Sequence, residues 1–132
     1  MLYSGIDLHK RSVVIATVDE RGRVVREESV SASRHAVARY FQWLPEPTVA
    51  TVEATSSWYW LRDLLETEGV PLTLAHAKFV KAIAYAKVKT DAVDALTLAQ
   101  LLREFRLHNI DPWAATIAEL SMGFRRRLVD PR

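Results

Sequence analysis

The sequence contains no cysteine, which excludes disulfide bonds and thiolate metal sites. It has no apolar run near the roughly 18 residues that a membrane-spanning helix needs, and no basic segment precedes an apolar one as in a signal peptide. The formal net charge is only +2, from 18 basic and 16 acidic residues, so charge alone does not indicate nucleic-acid binding. We therefore expect a soluble, cytoplasmic globular protein with no membrane partner.

Four acidic residues in three separate blocks of sequence are the candidates for a catalytic centre. Asp7 lies near the end of the first apolar block, Glu53 ends the run Thr48-Val-Ala-Thr-Val-Glu53, and Asp91 and Asp94 begin a helix-like segment. Asp91 and Asp94 are three residues apart, so both lie on one side of a helix. Carboxylates that converge repel one another unless a cation lies between them, and a ligand set made only of oxygen favours Mg²⁺ or Mn²⁺.

Each acid also has a purely structural interpretation. Asp91 can cap the helix that follows it, with Asp94 as the acid in the third position, and both positions suit the helix dipole. Asp7 can pair with Lys10 at the end of its strand, and Glu53 can cap the next helix. The metal-site interpretation depends on all the acids converging, which only the fold decides.

The spacing of apolar residues predicts five strands and four helices. Apolar, β-branched runs indicate the strands, Asp19-Glu-Arg-Gly22 indicates a hairpin turn, and Ser33 is a suitable cap for a helix that Pro45 ends. The predicted strands span residues 2–7, 12–18, 24–30, 49–53 and 70–75. The predicted helices span residues 33–44, 56–68, 78–86 and 90–105. The inward stripe predicted for the fourth helix consists of Asp94, Leu98, Leu101, Leu102 and Phe105.

With the last two helical stretches counted together, the order of these elements is β-β-β-α-β-α-β-α. Short turns make the first three strands an antiparallel meander, and the later alternation implies right-handed parallel crossovers. A meander followed by such crossovers is the ribonuclease-H-like α/β plan, in which the first strand lies in the middle of the sheet beside the fourth. Asp7 and Glu53 would then be neighbours in a mixed five-stranded sheet, and the last helix would carry Asp91 and Asp94 across them. Residues 108–132 are predicted as a helical, basic tail.

Three motifs resemble the N-terminal domain of the DEDD transposases of the insertion-sequence-110 family. They are Gly5-Ile-Asp-Leu-His-Lys10, Glu53-Ala-Thr-Ser-Ser-Trp-Tyr-Trp60 and Lys81-Ala-Ile-Ala-Tyr-Ala-Lys-Val-Lys-Thr-Asp-Ala-Val-Asp-Ala95. The third motif is the most specific, because lysines, a threonine and two aspartates recur in one pattern. The resemblance covers about residues 1–107.

The resemblance implies a RuvC-like catalytic domain over residues 1–107. The four acids of the family fall on Asp7, Glu53, Asp91 and Asp94, which implies catalytic residues that hold Mg²⁺ or Mn²⁺. The implied activity is that of a DNA transposase or recombinase, with metal-dependent phosphodiester strand cleavage and transfer. The implied partners are DNA and an element-encoded guide RNA, and we expect a homo-oligomer, a dimer or larger.

Members of the family also carry a second, C-terminal domain with a serine nucleophile. We expect this chain to depart from the family pattern past about Leu107 and to lack that domain, so its activity alone would be incomplete. The alternative is a non-catalytic remnant that binds nucleic acid or dimerises. A sugar-kinase or actin-type ATPase half shares the sheet order. That class needs a glycine-rich hairpin after the first aspartate, and Leu8-His-Lys-Arg-Ser12 contains no glycine.

Basic and aromatic residues near the predicted site are candidates for contacts with nucleic acid. Phosphate contacts position nucleic acid without reading its sequence. The candidates for them are Lys10, Lys78, Lys81, Lys87, Lys89 and Arg103. His9 and His76 lie near the same edge, but histidine is uncommon in an oxygen-rich site and we do not assign them as ligands. Trp58, Tyr59 and Trp60 fit either core packing or base stacking, and we favour packing.

Overall fold

The computed structural model of the protein describes residues 1–53, 58–75 and 94–107. Within these ranges the chain forms five strands and three helices in the predicted order. They are β1 (Leu2–Leu8), β2 (Ser12–Val18), β3 (Val24–Ser31), α1 (Arg34–Gln42), β4 (Thr48–Glu53), α2 (Tyr59–Thr67), β5 (Leu72–Ala75) and α3 (Ala95–Leu107).

All five strands belong to one mixed sheet with the order β3-β2-β1-β4-β5. β1 pairs antiparallel with β2, and β2 with β3, while β4 runs parallel to β1 on one side and to β5 on the other. The hairpin between β2 and β3 turns at Gly22, whose φ of 81° is a conformation that glycine adopts without strain. The predicted ribonuclease-H-like α/β fold class is confirmed, with β1 in the middle of the sheet beside β4.

The first face of the sheet packs against α1 and α2. Because side chains alternate between the two faces of a strand, every second residue of β1, β2 and β4 points into this core. α1 contributes Val37, Tyr40 and Phe41, and α2 contributes Leu61, Leu64 and Leu65. The strand residues of the same core cluster are Ile6, Val13, Ile15, Ala50 and Val52.

The opposite face of the sheet is covered by α3. Tyr3, Val18 and Val49 form a second core cluster with Ala99 and Leu102 of this helix. α3 runs antiparallel to β1, since Ala95 at its start lies over Gly5 and the later Gln100 donates a 2.9 Å hydrogen bond to the Gly22 carbonyl at the far end of the sheet. The start of α3 is therefore held near the end of β1.

The predicted boundaries differ from the observed ones by at most three residues where both can be compared. Ser33 caps α1 as predicted, and its Oγ accepts a 3.2 Å hydrogen bond from the Ala36 amide. β5 begins at Leu72 rather than residue 70, and α3 continues to Leu107 rather than residue 105. The helix predicted at 78–86, the first residues of the one predicted at 90–105 and the tail lie outside the described residues. Among the described helices, none is both long and apolar enough to cross a membrane.

Candidate active site at the carboxyl edge of the sheet

β1 and β4 end side by side, and each carries an acidic residue at its end. Ile6 of β1 is the register partner of Val52 of β4, so the next residue on each strand, Asp7 and Glu53, is adjacent to the other across the sheet. The parity of the strands places both side chains on the face that α3 covers. We call this end of the sheet, with Asp7 and Glu53, the carboxyl edge.

The Asp7 carboxylate is partly exposed and contacts His9. Its carboxyl side chain is 25% exposed, and His9 Nε2 lies 3.0 Å from Asp7 Oδ2. An ionised carboxylate only accepts hydrogen bonds, so this contact requires the ring nitrogen to donate. His9 itself is 52% exposed and lies on the turn after β1. The contact orients the Asp7 carboxylate without burying it.

Glu53 lies at the end of a strand, and Asp94 lies at the start of a helix. Glu53 is half-buried as the last residue of β4. Asp94 caps α3: its Oδ1 accepts a 2.8 Å hydrogen bond from the Thr97 amide, and its carbonyl accepts a 3.1 Å hydrogen bond from Leu98. The stripe prediction was wrong for Asp94, which is exposed at the helix start. An N-cap side chain accepts a hydrogen bond from the first turn of its own helix, so it does not point into the core.

Gly5 explains why the start of α3 lies close to β1. A Cβ atom at Gly5 would overlap the carbonyl oxygen of Ala95 and come within 2.5 Å of the Ala99 amide nitrogen and 2.8 Å of Leu98 Cβ. Only a residue without a side chain lets α3 approach β1 this closely. Since Gly5 precedes Asp7 by two residues and Ala95 follows Asp94, the close approach places the start of α3 toward the carboxyl edge. A glycine inside an apolar strand was the sequence signal from which this contact could have been predicted.

The described acids have the donor chemistry of a divalent-metal site. Asp7, Glu53 and Asp94 supply only oxygen donors, as Mg²⁺ and Mn²⁺ prefer. Residues 1–53, 58–75 and 94–107 contain no group of three or more His, Asp or Glu side chains close enough to hold a metal ion. Asp91, the fourth acid, lies outside the described residues. The predicted set of four is thus represented here by three acids, brought to one edge by three elements.

The basic candidates separate into three groups. Lys10 is exposed on the turn between β1 and β2, at the carboxyl edge. Arg103 lies two turns along α3 from Asp94; its side chain is 19% exposed, Nε donates to the Glu20 carbonyl at 2.8 Å and Nη1 lies 3.0 Å from Glu104 Oε1. The structure therefore does not bring Arg103 to the acids. The remaining candidates lie outside the described residues, as does His76; they are Lys78, Lys81, Lys87 and Lys89.

Two further cations at the carboxyl edge were not singled out from the sequence. Arg11 and Arg34 are both exposed, on the turn after β1 and at the start of α1. The Ala32 amide donates a 3.1 Å hydrogen bond to the Arg11 carbonyl, which ties the two segments together. Each follows a strand that ends at this edge, and that position in the predicted strand order was the signal that could have identified them.

The fold and the carboxylates at the ends of β1 and β4 define an α/β protein of the ribonuclease-H-like class. Within that class, the chain belongs to the insertion-sequence-110 DEDD transposase family, whose profile, described as a transposase, matches residues 4–130. The matched range extends through most of the tail for which the sequence pattern predicted a departure from the family. No curated protein matches the chain significantly. Membership of this family supports the function of a transposase, which is an enzyme of the nuclease or recombinase type with DNA as a partner.

Proposed function

We propose that this domain performs divalent-metal-dependent cleavage and transfer of DNA strands, with Asp7, Glu53, Asp91 and Asp94 as the residues that hold Mg²⁺ or Mn²⁺. The observation that supports the proposal is the adjacency of Asp7 and Glu53 on one face of the sheet, beneath a helix that Asp94 begins. When bound, the metal would neutralise charge on the phosphate and activate the attacking oxygen.

The protein side chains have separate tasks in this proposal. Asp7 is the central acid, since it ends the middle strand, and the His9 contact at 3.0 Å limits its rotation. The cap on α3 occupies one oxygen of the Asp94 carboxylate, which has a second, so capping and metal binding are compatible. Lys10 and the cations beyond the described ranges would position the phosphate backbone, and Arg103 is left out of this set because it stabilises α3.

The finer features of the family belong to the same proposal. Activity of the intact transposase would include the serine nucleophile of the family's C-terminal domain. A guide RNA and a homo-oligomer would then complete the assembly. The second candidate is a non-catalytic module that binds nucleic acid or dimerises.

A metal titration separates the two candidates. We expect Mn²⁺ and Mg²⁺ to raise the thermal stability of the chain, by about 2.7 kcal/mol of unfolding free energy at a hundredfold excess over Kd. Asp7→Ala should abolish the rise. Asp63→Ala, which removes an exposed acid on α2, is the matched control and should leave the rise unchanged. A chain that binds neither metal, or an Asp7→Ala variant that binds as well as the unmodified protein, would contradict the proposal.

A further inference from the structure

Three side chains at the start of α2 form an exposed aromatic and cationic cluster. The rings of Trp58 and Tyr59 are stacked, with centroids 4.5 Å apart and planes 25° from parallel. The guanidinium carbon of Arg62 lies 5.5 Å from the centroid of each ring. We call Trp58, Tyr59 and Arg62 the aromatic cluster.

Within the cluster, one aromatic ring packs against the core and the other is exposed to solvent. Trp58 is partly buried and packs against the first core, as does Trp60. Tyr59 is 57% exposed, so much of its ring remains uncovered although Trp58 stacks on it. The predicted packing role therefore fits both tryptophans, while the tyrosine between them presents a positioned, solvent-facing ring.

Arg62 can still take an anionic partner. Its side chain is 52% exposed, and its contact with Asp63 is long, at 3.5 Å between two exposed groups. Exposed pairs of this kind contribute roughly 0–1 kcal/mol, so a phosphate can replace the carboxylate at little cost. The cluster thus combines a flat ring with a cation beside it.

The cluster lies close to the candidate active site. α2 begins where β4 ends, and five Cα steps from Glu53 to Trp58 limit their separation to about 18 Å. Lys10, Arg11 and Arg34 are exposed at the same edge. The cluster and these cations therefore lie at the same end of the sheet as Asp7 and Glu53, so a strand of several nucleotides can reach both.

We propose that the aromatic cluster binds an unpaired nucleotide of a single strand, with the base stacked on Tyr59 and a flanking phosphate at Arg62. Bases of an intact duplex are stacked on their neighbours and offer no free face to such a ring. Stacking on aromatic side chains is tolerant of sequence and suits a strand that is opened near a cleavage site. This inference rests on the proposed function, because that function supplies the strand at the carboxyl edge.

A short oligothymidine with one 2-aminopurine tests the cluster in the full chain without divalent metal. We expect quenching of the probe by the unmodified protein and by Tyr59→Phe, which keeps the ring. Tyr59→Ser should lose the quenching and bind about tenfold more weakly, the lower range of one base stack. Duplex of the same sequence should show no dependence on the ring. An RNA strand of matching sequence shows which strand the cluster prefers, and dependence on the ring in either supports the proposal.

Two results would overturn the inference. One is equal affinity and quenching for Tyr59→Ser and the unmodified protein, with thermal unfolding unchanged. The other is a change only in the sedimentation of Tyr59→Ser, which would show that a second copy of the chain covers the ring. Mn²⁺ titration of the same samples separates this failure from that of the proposed function. Metal binding that persists without ring-dependent stacking overturns the inference alone, whereas stacking without metal binding overturns the proposed function alone.

Discussion

At the scale of single residues, Tyr40 shows how the buried polar groups beneath the sheet are satisfied. Its side chain is 1% exposed. The hydroxyl lies 2.7 Å from Thr17 Oγ1, which in turn lies 2.6 Å from Ser4 Oγ, and it donates at 3.2 Å to the Arg26 carbonyl. The Arg26 guanidinium carbon lies 4.6 Å from the centroid of the Tyr40 ring. This network joins β1, β2, β3 and α1, so the ionisation of one phenol is linked to the stability of the whole domain.

Burial raises the pKa of Tyr40 from 10 to about 12, although the Thr17 hydrogen bond and the Arg26 charge lower it. Because the folded pKa is the higher one, its contribution to stability is complete below pH 10 and is lost as the pH rises toward 12. This pKa difference between the folded and unfolded states corresponds to about 2–3 kcal/mol of unfolding free energy. Tyr40→Phe should cost about 1 kcal/mol at neutral pH and then show a smaller decline between pH 10 and 12. Denaturant unfolding measures both, and parallel pH profiles would contradict this explanation.

At the scale of elements, the N-terminal cap of α3 and the candidate metal site share Asp94, and substitutions can separate the two roles. Asparagine caps a helix as well as aspartate does, so Asp94→Asn should leave unfolding free energy within a few tenths of a kcal/mol. It removes the carboxylate charge, so Mn²⁺ affinity should fall at least tenfold. Asp94→Ala removes the cap as well and should cost about 1 kcal/mol. Unfolding curves with and without Mn²⁺ test this, and full Mn²⁺ affinity in Asp94→Asn would exclude Asp94 from the site.

The elements themselves were predictable because their signals are local. Apolar alternation, the cap at Ser33 and the stop at Pro45 depend on neighbours in sequence, and all five strands appear in the predicted order. The contacts that assemble the site were not predictable in the same way. The approach of α3 to Gly5 joins residues about 90 positions apart in sequence. The cap at Asp94 depends on the residue at which α3 begins. The sequence pattern allowed Asp91 as the cap, and only the described start of α3 assigns that role to Asp94.

At the scale of the whole molecule, the two ends of the sheet differ in what they carry. The carboxyl edge has the acids and a rim of exposed cations on the turns after β1 and β3. At the opposite end, Gln100 and Arg103 of α3 bond the carbonyls of Gly22 and Glu20, so the β2–β3 turn serves to hold the helix. Arg21 and Arg23 are also exposed at that turn, where their amides donate to Asp19 Oδ1 at 2.9 and 3.0 Å. Each end therefore offers a pair of surface cations in a well-defined turn, and these pairs can be compared directly.

We predict that DNA binding depends on the cations at the carboxyl edge and not on those at the β2–β3 turn. Each phosphate neutralised on a single strand contributes about 0.7 to the slope of log affinity against log salt concentration. Replacing Lys10 and Arg11 together by alanine should therefore reduce the slope by about 0.7 to 1.4 and weaken binding most at low salt. The matched pair Arg21→Ala and Arg23→Ala removes equal charge and leaves the backbone amides that bond Asp19, so its slope should equal that of the unmodified chain. Fluorescence anisotropy over a range of salt concentrations measures both. Equal losses in the two double variants would mean that net charge, rather than the carboxyl edge, attracts the strand.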